Sequence, residues 1–169
     1  MKTIILPGYS LSNRDWAVVL AKKIKVGHKI LVHHWRHWEK GGGLSLKYES
    51  EKIFQELVDD RINIIAKSVG ASVTAYILPK LRTQVNKIIL CGIPFVGSPE
   101  REKKFNEAFA DFPAERVLCF QNEKDPWGKY ELVKKFVSSI SPKIKVISNP
   151  SSDHNYPYPE AFEDFLRDS

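Results

Sequence analysis

Six short apolar runs punctuate the chain, at residues 3–6, 29–34, 62–66, 87–92, 116–121 and 143–148. Most are nearly unbroken in Ile, Val and Leu, as in Lys87-Ile88-Ile89-Leu90-Cys91. A strand with one wet face alternates apolar and polar residues. A continuous run marks a strand covered on both faces, the habit of parallel sheets held between helical layers. The stretches between the runs have helical spacing instead, among them Trp16, Val19 and Leu20; Phe54, Leu57 and Val58; and Val73, Tyr76 and Ile77. Ser12-Asn13-Arg14-Asp15 predicts a capping box on the first helix, and Ser98-Pro99 an N-cap with proline at the first helical position. Pro79 is expected to end or kink the helix it falls in.

Strand and helix alternate six times with no break in composition along 169 residues. The expectation is α/β: a single three-layer doubly wound domain over residues 1–169, with about six parallel strands and helices on both faces. Right-handed crossovers then gather every loop that follows a strand at one edge of the sheet, where ligands bind. A content of 43% hydrophobic and 27% charged residues excludes disordered, collagen-like and coiled-coil chains. The net charge is +6, but Lys22/Lys23, Lys103/Lys104, Lys134/Lys135 and Lys143/Lys145 lie in separate segments. They read as solvated faces, so no nucleic-acid partner is expected. The first apolar run stops at Pro7-Gly8, short of the about 7–15 residues of a signal peptide, and no run approaches the about 20 of a membrane span. The expectation is a cytoplasmic protein without a membrane partner. Cys91 and Cys119, each inside an apolar run, read as buried free thiols.

Three of the loops that follow strands carry chemistry. Ala66-Lys67-Ser68-Val69-Gly70 stands directly between a strand and a helix. A nucleophile elbow needs a sharp turn there, with small residues two before and two after the serine so that strand and helix can cross closely. By itself the motif fits a plain helix N-cap equally well. The next such loop contains Asp125 before Pro126, and the last contains His154. Each has a bland reading, a turn residue and an incidental histidine. Together they place Ser, Asp and His on one sheet edge. Acyl transfer needs that set: a hydroxyl nucleophile, an imidazole to take its proton, and a carboxylate to fix the imidazole's tautomer. Asp153 is adjacent to His154, but loop neighbours project apart. Asp125, at the end of the neighbouring strand, is therefore the expected acid. After the first strand, Pro7-Gly8-Tyr9-Ser10 is placed to give a backbone N–H to an oxyanion hole, from Tyr9 or Ser10, with Val69 supplying the second.

On these residues the chain resembles the α/β-hydrolase superfamily, and within it the small lidless serine hydrolases of the retinoblastoma-binding-protein type. The similarity runs from Pro7-Gly8 through Ser68 and Asp125 to His154, with Ala66 standing where the family usually has glycine. Two strands that open larger members are missing. The segment 93–115, where those members insert a lid, has room for one helix. The resemblance implies hydrolysis of a small ester, thioester or amide through an acyl-enzyme, without a cofactor. A binding protein that keeps the fold without turnover is the alternative.

Trp35, Trp38, Phe95, Trp127 and Tyr156 fall in or beside loops on the same edge. They could line an acyl pocket or simply pack the loops together. Lys67 is expected to face solvent. His33, His34, His37 and Glu39 offer metal-type ligands, but adjacent strand residues point to opposite faces, so no metal site is expected. No strand is followed by G-x-G-x-x-G. A phosphate-binding loop ending at Lys67-Ser68 would need glycines where Arg61 and Ala66 stand.

Overall fold

The structure, a computed structural model, describes residues 1–57, 61–94 and 96–167. Val58 and Phe95, singled out above, lie outside the described residues. The strands are β1 (Lys2–Leu6), β2 (Lys29–Val32), β3 (Ile62–Lys67), β4 (Val85–Cys91), β5 (Val117–Asn122) and β6 (Lys145–Asn149). The helices are α1 (Ser12–Lys23), α2 (His37–Lys40), α3 (Leu46–Glu56), α4 (Val69–Leu81), α5 (Pro99–Phe109), α6 (Tyr130–Ile140) and α7 (Pro159–Arg167). A 3-10 turn, Ala114–Arg116, leads into β5. The strands form one parallel sheet in the order β2-β1-β3-β4-β5-β6. This is the expected α/β architecture.

Strand parity sorts the core into two layers. In register across the sheet, Ile4, Ile64, Ile88 and Val117 form one row, and Ile5, Ile65, Ile89 and Leu118 the next. Successive side chains point to opposite faces. The first row therefore packs under α3, α4, α5 and α6, meeting Ile53, Val73, Phe105 and Val133. The second packs under α1 and α7, meeting Leu20 and Phe162. Two of the four inner strands, β3 and β5, are buried along their whole length, and apart from Asn63 they stay apolar until they approach the edge where their following loops begin. Cys91 and Cys119 are buried free thiols, and burial pushes the Cys119 pKa up to about 12.

Three local expectations need correction. No capping box forms on α1, because the chain is already helical at Leu11 and Ser12 falls inside the first turn. Asn13 secures the helix entry instead, its amide donating to Ser10 Oγ at 2.7 Å and to the Ser10 carbonyl at 3.2 Å. Pro79 does not end α4 at its own position. It lies in the last turn and removes the N–H of the bond to the Ala75 carbonyl, and the helix ends two residues later at Leu81. The one-turn helix α2 has no counterpart in the sequence reading, since four residues are too few to show a period. Among the described residues no helix is long and apolar enough to cross a membrane.

Phe162 anchors α7, fully buried with its ring edge-on to Phe120 at 4.9 Å. We expect Phe162→Ala to cost about 3–5 kcal/mol of folding stability in urea denaturation. Leu132→Ala, on the exposed side of α6, should stay within about 0.5 kcal/mol of wild type.

Candidate active site

Between the last residue of β3 and the first of α4 stands Ser68 alone, so one residue makes the whole turn. Its backbone has φ 54° and ψ −118°, and it is the only non-glycine residue with positive φ among the described residues. Such strain persists only where surrounding structure enforces it. The serine hydroxyl does not cap the helix, which removes the bland alternative left open by the sequence. Gly70 shows what enforces the turn. A Cβ there would lie 2.2 Å from the Leu6 carbonyl oxygen of β1, so only glycine lets α4 cross that strand. Strand order reverses at β1, with β2 on one side and β3 on the other, and this crevice is where doubly wound sheets bind ligands.

The loop after β1 closes that crevice. Its carbonyls are tied down by indoles: Trp35 Nε1 donates to Gly8 O at 3.0 Å, and Trp38 Nε1 to Tyr9 O at 2.7 Å. His37 Nε2 donates to the same Tyr9 oxygen at 2.8 Å. Peptide C=O and N–H groups point oppositely across a trans bond. Holding Gly8 O on the buried Trp35 therefore turns the Tyr9 N–H away from the core. Val69, the first residue of α4, has an N–H without an intrahelical acceptor. Trp35 is fully buried and Trp38 half-buried, so both fix this loop from behind and neither walls the clefts described below.

Lys67 departs from expectation. It is only 6% exposed, because strand parity puts it on the α1 face together with Ile65. Its ammonium donates to Asn13 Oδ1 at 2.7 Å and lies 5.1 Å from the Trp16 ring centroid. Burial lowers its pKa. Asn13 in turn packs against Gly8, where a Cβ would come within 2.6 Å of it. A chain of contacts thus runs from the residue before Ser68 to the loop after β1.

Across the sheet, Asp125 Oδ2 lies 2.6 Å from His154 Nδ1. The same oxygen accepts from the Tyr156 hydroxyl at 2.6 Å, and Oδ1 accepts from the Trp127 N–H at 2.8 Å. Burial alone would raise the Asp125 pKa, but these hydrogen bonds outweigh it and hold the carboxyl below its usual value. An ionised carboxylate can only accept, so His154 carries its proton on Nδ1. In the neutral ring Nε2 is then the lone pair, and this atom is buried and without a partner among the described residues. The ring rests on Gly92, where a Cβ would come 2.6 Å from Cε1. Gly92 directly follows Cys91, whose carbonyl accepts the Ser68 N–H at 2.9 Å. Asp153 points elsewhere, accepting from Asn122 and from the Asn155 N–H.

Two supports were not legible as such. Tyr156, an expected pocket wall, is fully buried, and its hydroxyl accepts from the Asn122 N–H while donating to Asp125. Asn122, at the end of β5, donates to the carbonyls of Asp153 and Asn155 at 2.9 Å each, gripping both neighbours of His154. A buried asparagine at the end of an apolar strand was the available signal.

Two clefts flank these groups. One, of about 430 Å³, contains Ser68, Val69 and Tyr9 and is walled by Leu44, Leu46 and Tyr76. The other, of about 700 Å³, contains His154, Lys67 and Trp127, the last of these 68% exposed. Of the five aromatic candidates, Trp127 lines a cleft; Trp35, Trp38 and Tyr156 support loops. His33 pairs with Glu49 at 2.8 Å inside the protein; both histidines follow the end of β2 rather than lying in it, and His34 is exposed.

No protein-family model matches the chain, and no curated protein matches it in sequence. Solved structures do match it. XC6422 from Xanthomonas campestris, a serine hydrolase without a lid, is 15% identical with a TM-score of 0.69, over 98% of this chain and 79% of that one. An α/β serine hydrolase homologue from Coxiella burnetii is 23% identical with a TM-score of 0.63, over 99% and 84%. A Bacillus cereus carboxylesterase is 15% identical with a TM-score of 0.63, over 97% and 86%. The chain has the α/β-hydrolase fold.

Proposed function

We propose that the protein is a serine hydrolase of the lidless kind, cleaving a small ester, thioester or amide through an acyl-enzyme. The observation that carries this is the imidazole of His154, tied at Nδ1 to a buried carboxylate and left with an unpartnered Nε2. That is the state of a general base awaiting a hydroxyl. The strained Ser68 supplies the hydroxyl from the neighbouring turn.

The chemistry follows from the roles. Ser68 Oγ attacks the carbonyl carbon and its proton passes to His154 Nε2. The carbonyl oxygen becomes an anion facing the Tyr9 and Val69 N–H groups. Asp125 stabilises the imidazolium without taking its proton. The carbon–heteroatom bond then breaks, the leaving alcohol, thiol or amine takes the proton from Nε2, and Ser68 is left acylated. Water repeats the sequence and releases the acid. Among the described residues, the chain between β4 and β5 carries α5 and the 3-10 turn before β5 and no further helix or strand, which supports a site open to small substrates.

A fluorophosphonate probe should label Ser68 stoichiometrically, and Ser68→Ala should lose both labelling and hydrolysis of a short 4-nitrophenyl ester. A folded wild type that takes no label would return the protein to the class of binding proteins that keep this fold. Asp125→Asn should lower kcat by about four orders of magnitude, because it favours the wrong imidazole tautomer. Asp153→Asn should cost far less; the reverse ordering would move the acid to Asp153.

Tyr156→Phe tests the second donor to Asp125. Its loss should raise the Asp125 pKa toward that of an ordinary carboxyl and reduce kcat. Because the folded-state pKa is lowered, the carboxylate stabilises the fold above the unfolded value and ceases to do so as pH falls through the folded value. The part of the destabilisation in Tyr156→Phe that comes through Asp125 should therefore be present at pH 7 and shrink on acidification. Urea midpoints measured across that range check the sign.

A further inference from the structure

The cleft that holds Ser68 with Tyr9 and Val69 is the acyl side, since nucleophile and oxyanion donors must surround the acyl carbon. The cleft that holds His154 is the side of the leaving group, which takes its proton from that ring. The two differ in charge. Asp15 and Asp153 line the leaving-group cleft beside its lysines. Among the described residues no Asp or Glu lines the acyl cleft, but Arg101 and Lys104 of α5 do.

These two cations lie one turn apart on one helix face. Both are exposed, and neither has an ion-pair or hydrogen-bond partner among the described residues. Of the acids on α5, Glu102 accepts from the Gly97 N–H and Glu107 pairs with Lys103 at 3.9 Å, while Glu100, exposed and four residues before Lys104, makes no ion pair with either cation among the described residues. The walls below are apolar, from Leu44 and Leu46 on one side and Ala75 and Tyr76 of α4 on the other. An apolar slot with a nucleophile inside and two free cations on its lining suits a methylene chain with an anion at its far end.

We propose that the acyl group ends in a carboxylate, so that the substrate is a monoester, monothioester or monoamide of a dicarboxylic acid. The chain lies against the apolar walls, and the distal carboxylate meets the Arg101 fork and the Lys104 ammonium. This rests on the serine-hydrolase reading above. Plain apolar burial would favour a fatty acyl group of equal length equally well, so selectivity comes from the two cations. They are solvent-exposed, which keeps the effect modest and sensitive to salt.

The test compares the 4-nitrophenyl monoesters of adipate and pimelate with the hexanoate and heptanoate esters, each corrected for hydrolysis by Ser68→Ala. At low ionic strength kcat/KM for the diacid monoesters should be higher by about tenfold, through KM, as expected for two exposed charge contacts. The gap should narrow in about 0.5 M salt. The double variant Arg101→Gln/Lys104→Gln should close it, and exposed positions make that variant safe to fold. Equal kcat/KM for the two series, in protein that the fluorophosphonate labels, would overturn the inference and leave the hydrolase standing. A gap that survives in the double variant overturns the assignment to these residues. Failure of both labelling and hydrolysis overturns inference and hydrolase together.

Discussion

The contact between Gly70 and the Leu6 carbonyl is the constraint around which the site is organised. It lets α4 cross β1 at a distance no side chain would permit. That crossing forces the reversal at Ser68, whose left-handed backbone costs on the order of 1–3 kcal/mol. The cost is met by the burial of α4, whose Ala71, Val73, Ile77 and Leu78 are fully enclosed in the core. With the turn fixed, the start of α4 and the loop after β1 come to face each other across the topological switch. The turn at Ser68 and the placement of Val69 opposite the Tyr9 loop are thus consequences of one close approach in the middle of the sheet.

The Asp125–His154 pair depends on a different device, the polar end of β5. Phe120 closes the apolar part of that strand, and Gln121 and Asn122 follow it, both fully buried. By parity they point to opposite faces. Gln121 accepts from the Ile93 N–H and donates to the Gly128 carbonyl, joining the loop after β4 to the acid loop. Asn122 grips the histidine loop on both sides of His154. Buried amides with all their bonds made fix loop positions more sharply than apolar packing, which is non-directional. The short bond between Asp125 and His154 is the result of two loops each held from the same strand end.

Much of this was readable before any coordinates. The continuous apolar runs announced a parallel sheet, and a parallel sheet fixes where its strand-end loops gather. Ser68, Asp125 and His154 could be collected on one edge for that reason. The preference for Asp125 over Asp153 likewise rests on strand adjacency; in the structure Asp125 meets His154 Nδ1 and Asp153 accepts from the Asn155 N–H. What failed were statements about which way a side chain points once the regular element ends. Lys67 was assigned to solvent although its parity with Ile65 could have placed it inward. For Trp35, Trp38 and Tyr156 the sequence offers only their nearness to loops. Whether an aromatic faces a cleft or braces the loop from behind depends on partners far away in sequence, such as Gly8 for Trp35 and Asp125 for Tyr156. No local pattern encodes those pairings.

The burial of Lys67 has an energetic consequence that separates it from the other lysines. Desolvation lowers its pKa, so folding disfavours its charged form. The sign is opposite to that of Asp125. At neutral pH the charged Lys67 subtracts from stability, and the penalty fades only as pH rises toward the ordinary lysine value, where the unfolded chain also loses its proton. A methionine of similar length would avoid it. It would also leave Asn13 Oδ1 without the ammonium, although Asn13 both seats against Gly8 and binds Ser10. The ammonium is thus the far end of a polar brace that begins one residue before Ser68 and ends on the loop bearing Tyr9. Under the proposed function a displaced N–H at Tyr9 would cost more than lost stability, because an oxyanion donor must meet the anion within a few tenths of an ångström while the fold keeps a margin of several kcal/mol.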